Sequence, residues 1–281
     1  MKIYAKNSIC LLISIAIITF GYIGCNEDSD ENEEEILAEA PILPPDESMQ
    51  VNTSAFDTKN QGAPGNFNAL TMLNYINAST RVVIINSAVL TALSVPAALY
   101  YQAKSNEPIE QEDGLLLWSY TAEVEYFTVT ANLYGISEFD RNTWSMIIST
   151  DSSVVQIEDF EYFRGVSDKL NKSGYWEFFD MQTPEEHNPT VKIEWEVDLL
   201  SEQIQLSITN IDTRSEHYQD ILLYILDRNK AIMNYDDASN DGIWEIEWNT
   251  KTEAGSINVP NYNNGEKACW DANKQDIDCI Q

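Results

Sequence analysis

The chain is poor in the residues that carry most enzyme chemistry, and poor in positive charge. It holds two histidines, four cysteines, and 16 Lys and Arg against 46 Asp and Glu, for a formal net charge of −30. An acidic balance of this size repels nucleic acid and anionic lipid headgroups, so no nucleic-acid partner is expected. Neither His187 nor His217 has a second histidine at helical or strand spacing, and the HExxH, GxSxG and glycine-rich phosphate-loop patterns do not occur. Zinc-hydrolase, serine-hydrolase and P-loop chemistry therefore have no sequence support. Both histidines sit beside acid in polar stretches and are expected at the surface. The reading points away from an enzyme: no catalytic residue, metal or cofactor is expected.

Carboxylates are so abundant that any two could be nominated as the acid and base of glycoside cleavage, which needs a pair roughly 5 to 10 Å apart in a cleft. One sequence selects no such pair. The loop Asp236-Asp237-Ala238-Ser239-Asn240-Asp241-Gly242 carries enough oxygens for calcium. The EF-hand register fails there, because Trp248 stands where a loop starting at Asp237 needs a bidentate Glu. A hairpin turn is favoured, with a calcium at Asp236 to Asp241 left open. Seven tryptophans raise the question of sugar stacking. Trp195, Trp244 and Trp248, however, fall on the apolar side of their strands, where core filling accounts for them.

Long hydrophobic runs are also scarce. The first lies in residues 1–24, where Lys2 and Lys6 precede an apolar stretch from Ile9 to Ile18, the plan of an export signal. About 20 apolar residues would be needed to span a bilayer, and this core is nearer to ten. Tyr22-Ile23-Gly24-Cys25 follows directly and resembles the bacterial lipobox. The resemblance implies cleavage before Cys25, diacylglycerol on its thiol and acylation of the new amino terminus. Two or three acyl chains anchor a protein stably where one does not. Cysteine arithmetic agrees: Cys10 leaves with the leader, Cys25 takes lipid, and Cys269 and Cys279 remain as a disulfide pair in an exported setting. A zinc site at that pair lacks further Cys or His ligands.

Residues 25–65 read as a tether, acidic from Glu27 to Glu35 and then rich in Pro and Gly, with Pro41 to Met49 able to dock on the body. The rest, 66–281, reads as one domain. Its part 66–104 is helical, with Leu70, Leu73, Ile76, Val83, Ala88 and Leu93 as the apolar side. Residues 82–101 carry no charge, which raises a membrane span, but Asn86, Ser87, Thr91, Ser94 and Pro96 favour a helix buried on nearly all sides and kinked or broken at Pro96. From 114 to 268 the pattern is period two. Phe127-Val129-Ala131-Leu133, Val191-Ile193-Trp195-Val197 and Trp244-Ile246-Trp248 each alternate with polar residues. Turn signals recur at Asn171 to Gly174, Asp227 to Asn229 and Asn263 to Gly265. These features imply about ten strands in a large curved antiparallel sheet or open barrel meander, with the helical segment on its apolar face. Residues 269–279 form a disulfide-closed terminal loop.

The lipobox, the acidic tether, Leu43-Pro44-Pro45-Asp46-Glu47-Ser48-Met49 and the ending Ala268-Cys269-Trp270 to Cys279 are together similar to a family of Bacteroidota lipoproteins. That resemblance carries over no activity and no catalytic residue. It does imply a location, since the acidic run Asn26 to Glu35 resembles a signal for transfer to the outer face of the outer membrane. Surface-exposed and periplasm-facing placements both stay open. The expected partner is thus the membrane, through lipid on Cys25. The expected function is that of a lipid-anchored envelope lipoprotein with a non-enzymatic binding or structural role. The alternatives are a carbohydrate-binding or glycan-hydrolysing surface protein and a carrier of a small apolar ligand.

Overall fold

The period-two alternation becomes fourteen antiparallel strands that pair strictly in chain order among the described residues. The computed structural model describes residues 40–56, 71–124, 127–151, 156–198, 200–238 and 242–279. The leader, Cys25 and the acidic run lie outside them. The strands are β1 (Ile109–Glu110), β2 (Leu116–Val124), β3 (Phe127–Ser137), β4 (Arg141–Asp151) and β5 (Ile157–Asp168). They continue as β6 (Ser173–Phe179), β7 (Pro189–Asp198), β8 (Gln203–Asn210), β9 (Ile221–Asp227) and β10 (Lys230–Asp236). The last four are β11 (Ile243–Asn249), β12 (Gly255–Asn258), β13 (Ala268–Trp270) and β14 (Asp276–Ile277). The sheet does not close, so β1 and β14 are its edges.

Each long strand has one apolar and one polar face, as half-buried antiparallel strands require. In β7, Val191, Ile193, Trp195 and Val197 are buried while Glu194, Glu196 and Asp198 are exposed. Six of the seven tryptophans are at most 4% exposed, and strand glycines make room for them. Gly135 lies opposite Trp144, Gly165 opposite Trp144 and Trp176, Gly174 opposite Trp195, and Gly255 opposite Trp248 and Trp270. A bare Cα lets the neighbouring indole lie over the strand, in the space a Cβ would take.

The helical layer crosses this apolar face. Helix α1 (Leu73–Ile85) packs on β12, β13 and β14; residues 86–90 form a π turn against β8; and α2 (Ser94–Lys104) packs on β2 and β3. Residues 40–56 fill the space beside it. The Trp176 indole N–H donates to Ser48 Oγ at 3.1 Å, the Tyr100 hydroxyl donates to the Pro44 carbonyl at 2.5 Å, and Phe56 meets the Trp248 ring edge-on at 5.1 Å. The folded body therefore begins by residue 40, inside the stretch assigned to the tether from its composition. Local apolar content was low there, but Met49, Ala55 and Phe56 are each nearly fully buried.

Two details of the helix differ from the sequence reading. Pro96 does not break it: Pro96 is the third residue of α2, in the first turn, where its missing N–H has no intrahelical partner to lose. Continuity fails upstream instead, across the π turn at Asn86–Leu90 and the 3₁₀ turn at Thr91–Leu93. There the Ser87 hydroxyl donates to the Ile84 carbonyl at 2.8 Å and competes with the regular ladder. The helix is also not buried on nearly all sides. Tyr75, Ala78, Val82 and Ile85 face the core, whereas Leu73, Ile76 and Val83 are 44%, 41% and 59% exposed. The segment is apolar on two sides, and Tyr75 decides between them by packing on Phe56 and Trp270 and donating to the Ala55 carbonyl at 3.1 Å.

Candidate functional site

Two loops at one end of the sheet share a plan. Between β6 and β7, Asp180 Oδ1 accepts from the Gln182 N–H at 2.8 Å, and His187 is left-handed at φ 49°. Between β8 and β9, Asp212 Oδ1 accepts from the Arg214 N–H at 2.9 Å, and Gln219 is left-handed at φ 71°. Arg214 joins them: its guanidinium contacts Asp180 at 2.8 Å, Asp212 at 2.9 Å and Glu186 at 3.5 Å. Burial pushes the Asp180 carboxyl up, but the Gln182 N–H, Arg214 and Thr183 outweigh it and hold it below the usual range. For Asp212 the Arg214 hydrogen bond leads, and the net direction is also down.

His217 belongs to the same end. Its Nδ1 lies 3.0 Å from Asp220 Oδ2, and Asp220 is 1% exposed. That carboxylate also accepts from the Tyr235 hydroxyl and, at 2.9 Å, from the Ala238 N–H. Burial first, then the Asp220 carboxylate, push the Tyr235 phenol far above its ordinary range. A histidine–carboxylate pair invites a catalytic reading, yet the nearby Ser215 hydroxyl accepts from the His217 backbone N–H at 3.0 Å and from the Asn210 amide at 3.3 Å. These hydrogen bonds tie the loop between β8 and β9 to Tyr235 and Ala238.

The outer face of the sheet offers a shallow depression over β3 to β6. Tyr134, Thr143, Ser145, Glu161, Arg164 and Tyr175 line it, above the backbone of Gly165, with a volume of about 290 Å³. Its polar groups already engage one another. The Ser145 hydroxyl donates to Glu161 at 2.8 Å, Arg164 pairs with Glu177 at 2.5 Å, and Lys192 Nζ lies 5.5 Å from the Tyr175 ring centre. Next to it, Phe179 follows Tyr175 and Glu177 on the outer side of β6, where His187 stacks on it at 3.9 Å and Arg164 covers it at 5.1 Å. Two tyrosine faces among hydroxyls, a carboxylate and a guanidinium can hold a small polar molecule. They do not form an acid–base pair across an open cleft.

The residues singled out by sequence fall as follows. Cys269 and Cys279 are joined in a disulfide with Cα atoms 5.3 Å apart. Trp195 and Trp248 are buried in the core, and Trp244 is partly buried with Arg81 5.5 Å over its ring. His187 and His217 are each half-exposed and occupied in loop structure. Of the Asp236 to Gly242 turn, residues 239–241 lie outside the described residues, as does Cys25. Among the described residues no three His, Cys, Asp or Glu side chains cluster to hold a metal ion. No described helix is long and apolar enough to cross a membrane. Sequence reasoning missed Arg214 and Asp220. The spacing Asp-x-Gln/Arg-Thr/Ser shared by 180–183 and 212–215 was the one available signal. No protein-family model, no curated protein and no solved structure matches the chain.

Proposed function

We propose that the chain is a lipid-anchored cell-envelope lipoprotein, held to the outer membrane through Cys25, whose β body binds or supports and does not catalyse. The basic-then-apolar leader, the lipobox-like Tyr22 to Cys25 and the resemblance to Bacteroidota lipoproteins support the anchor. The filled interior is the observation that carries the non-enzymatic role. Six tryptophans, together with Met49, Ala55 and Phe56 of residues 40–56, belong to one buried core cluster, so among the described residues the apolar side of the sheet is filled by side chains.

Replacing Cys25 by Ser should release the protein from membranes and abolish labelling by a fatty-acid analogue; unchanged membrane association would overturn the anchor. Protease treatment of intact cells would tell surface-exposed from periplasm-facing placement by whether the body is cut. A second reading, glycan binding, draws on the depression flanked by Tyr134 and Tyr175. On that reading Tyr175→Ala would abolish retention of the protein on an oligosaccharide array. Equal retention of both forms, or none, would remove it.

A further inference from the structure

The two edges of the sheet are treated differently. At the carboxyl-terminal edge β14 is two residues long. Its Asp276 side chain accepts the Leu73 and Asn74 N–H groups at the start of α1, and the Cys269–Cys279 bridge closes over it. At the other edge β1 pairs with only Leu116 and Leu117, leaving Trp118 to Val124 of β2 without a strand partner on that side among the described residues. The stretch Trp118-Ser119-Tyr120-Thr121-Ala122-Glu123-Val124 contains no Pro and no Lys, the residues that usually blunt an edge.

Strand parity says which groups are free. The Gln111 N–H donates to the Leu115 carbonyl at 2.7 Å, so odd-numbered residues of this strand point their main-chain groups toward β1. Past Leu117 these are Ser119, Thr121 and Glu123. The even-numbered residues point toward β3 and serve the β2–β3 ladder, which runs the full length of β2. The free edge is self-complementary. Pairing two copies antiparallel about Thr121 sets Thr121 against the partner's Thr121 and Ser119 against the partner's Glu123, and all six N–H groups then meet carbonyls. In a chain of net charge −30 this register puts no acidic position opposite another.

We infer that β2 is a homodimerisation edge, where a second copy of this chain adds its own β2 about a two-fold axis at Thr121. The inference stands independently of the lipid anchor. In cells producing the full chain, Thr121→Cys should give a dimer on a non-reducing gel, because a hydrogen-bonded antiparallel pair holds its Cα atoms about 5.5 Å apart, within disulfide reach. Ser119→Cys should not, since its two copies lie four residues out of register. Thr121→Pro removes only an outward N–H and spares the β3 ladder, so it should turn a dimer of the detergent-extracted protein into a monomer with unchanged near-ultraviolet circular dichroism. A monomeric unmodified protein would overturn the inference. So would equal cross-linking at 119 and 121, or a dimer that survives Thr121→Pro with the fold intact.

Discussion

At the scale of single residues, tryptophan and glycine act together. A Cβ at Gly174 would come 2.2 Å from the Val166 carbonyl oxygen, and one at Gly255 would come 2.3 Å from that of Glu247, whereas at Gly135 its three nearest atoms belong to the rings of Trp144 and Trp118. Backbone cannot shift as a ring can, so Gly174→Ala and Gly255→Ala should cost more than Gly135→Ala. The last should fall in the 1 to 3 kcal/mol range typical of overpacking, partly offset by about 0.5 kcal/mol from a stiffer unfolded chain. Urea unfolding followed by tryptophan fluorescence gives the ranking, and equal losses at all three positions would refute it. Asp220 is the polar counterpart. Asp220→Ala strands the Ala238 N–H and the Tyr235 hydroxyl in the interior, and a loss of about 2 to 4 kcal/mol is expected in the same measurement.

At the scale of elements, the hairpins at the end opposite the Arg214 loops are built on one chemistry. Asp168, Asp198, Asn249 and Asp271 open four of them by accepting N–H groups two to five residues on. Each turn closes on a left-handed residue that is not glycine: Asn171, Glu202, Glu253 and Lys274. The last turn is also held by the disulfide, a loop with a sequence separation of 10. Replacing Cys269 and Cys279 together by Ser should cost about 2 to 3 kcal/mol on the chain-entropy view. Faster hydrogen exchange should then be confined to β13, β14 and the first turn of α1, and a uniform rise across the sheet would contradict that placement. Most of the sheet was legible because its strands are half-buried: in β4, β7 and β11 the apolar letters alternate with polar ones, and Asx residues mark the turns. The helix face was not legible, because 73–85 is apolar on two sides and only the distant Phe56 and Trp270 select Tyr75. The outer-face depression was invisible for a related reason. Tyr134, Ser145, Glu161, Arg164 and Tyr175 come from four strands and meet only through register, in one place through a bulge in β5 that no local pattern announces.

At the scale of the whole molecule, two electrostatic effects oppose each other as the pH falls. Net charge is −30 at pH 7 with a sequence pI near 4.1, so the folded body repels itself at neutrality and loses that repulsion on approach to pH 4. Acting the other way, four loop carboxyls are held below their ordinary range. At Asp168 burial raises the value, but the Ser173 hydroxyl and the Leu170, Lys172 and Ser173 N–H groups outweigh it. Asp180 is lowered in the same manner, while Asp198 is lowered chiefly by the Ser201 hydroxyl and Asp212 by Arg214. A carboxyl whose folded value lies below its unfolded value of about 3.9 contributes stability fully above that pH and loses it as the pH falls through the folded value. The first effect therefore governs from about pH 8 down to 5, and the second takes over below about 4. Thermal melting at low ionic strength should show Tm rising from pH 8 to a maximum between about pH 4 and 5, then falling. Adding about 0.15 M salt shortens the screening length to about 8 Å and should raise Tm at pH 7 while leaving the maximum nearly unmoved. A salt response as large at the maximum as at pH 7 would show that dispersed repulsion is not what limits the body at neutral pH, and would shift the weight to the paired loop carboxyls alone.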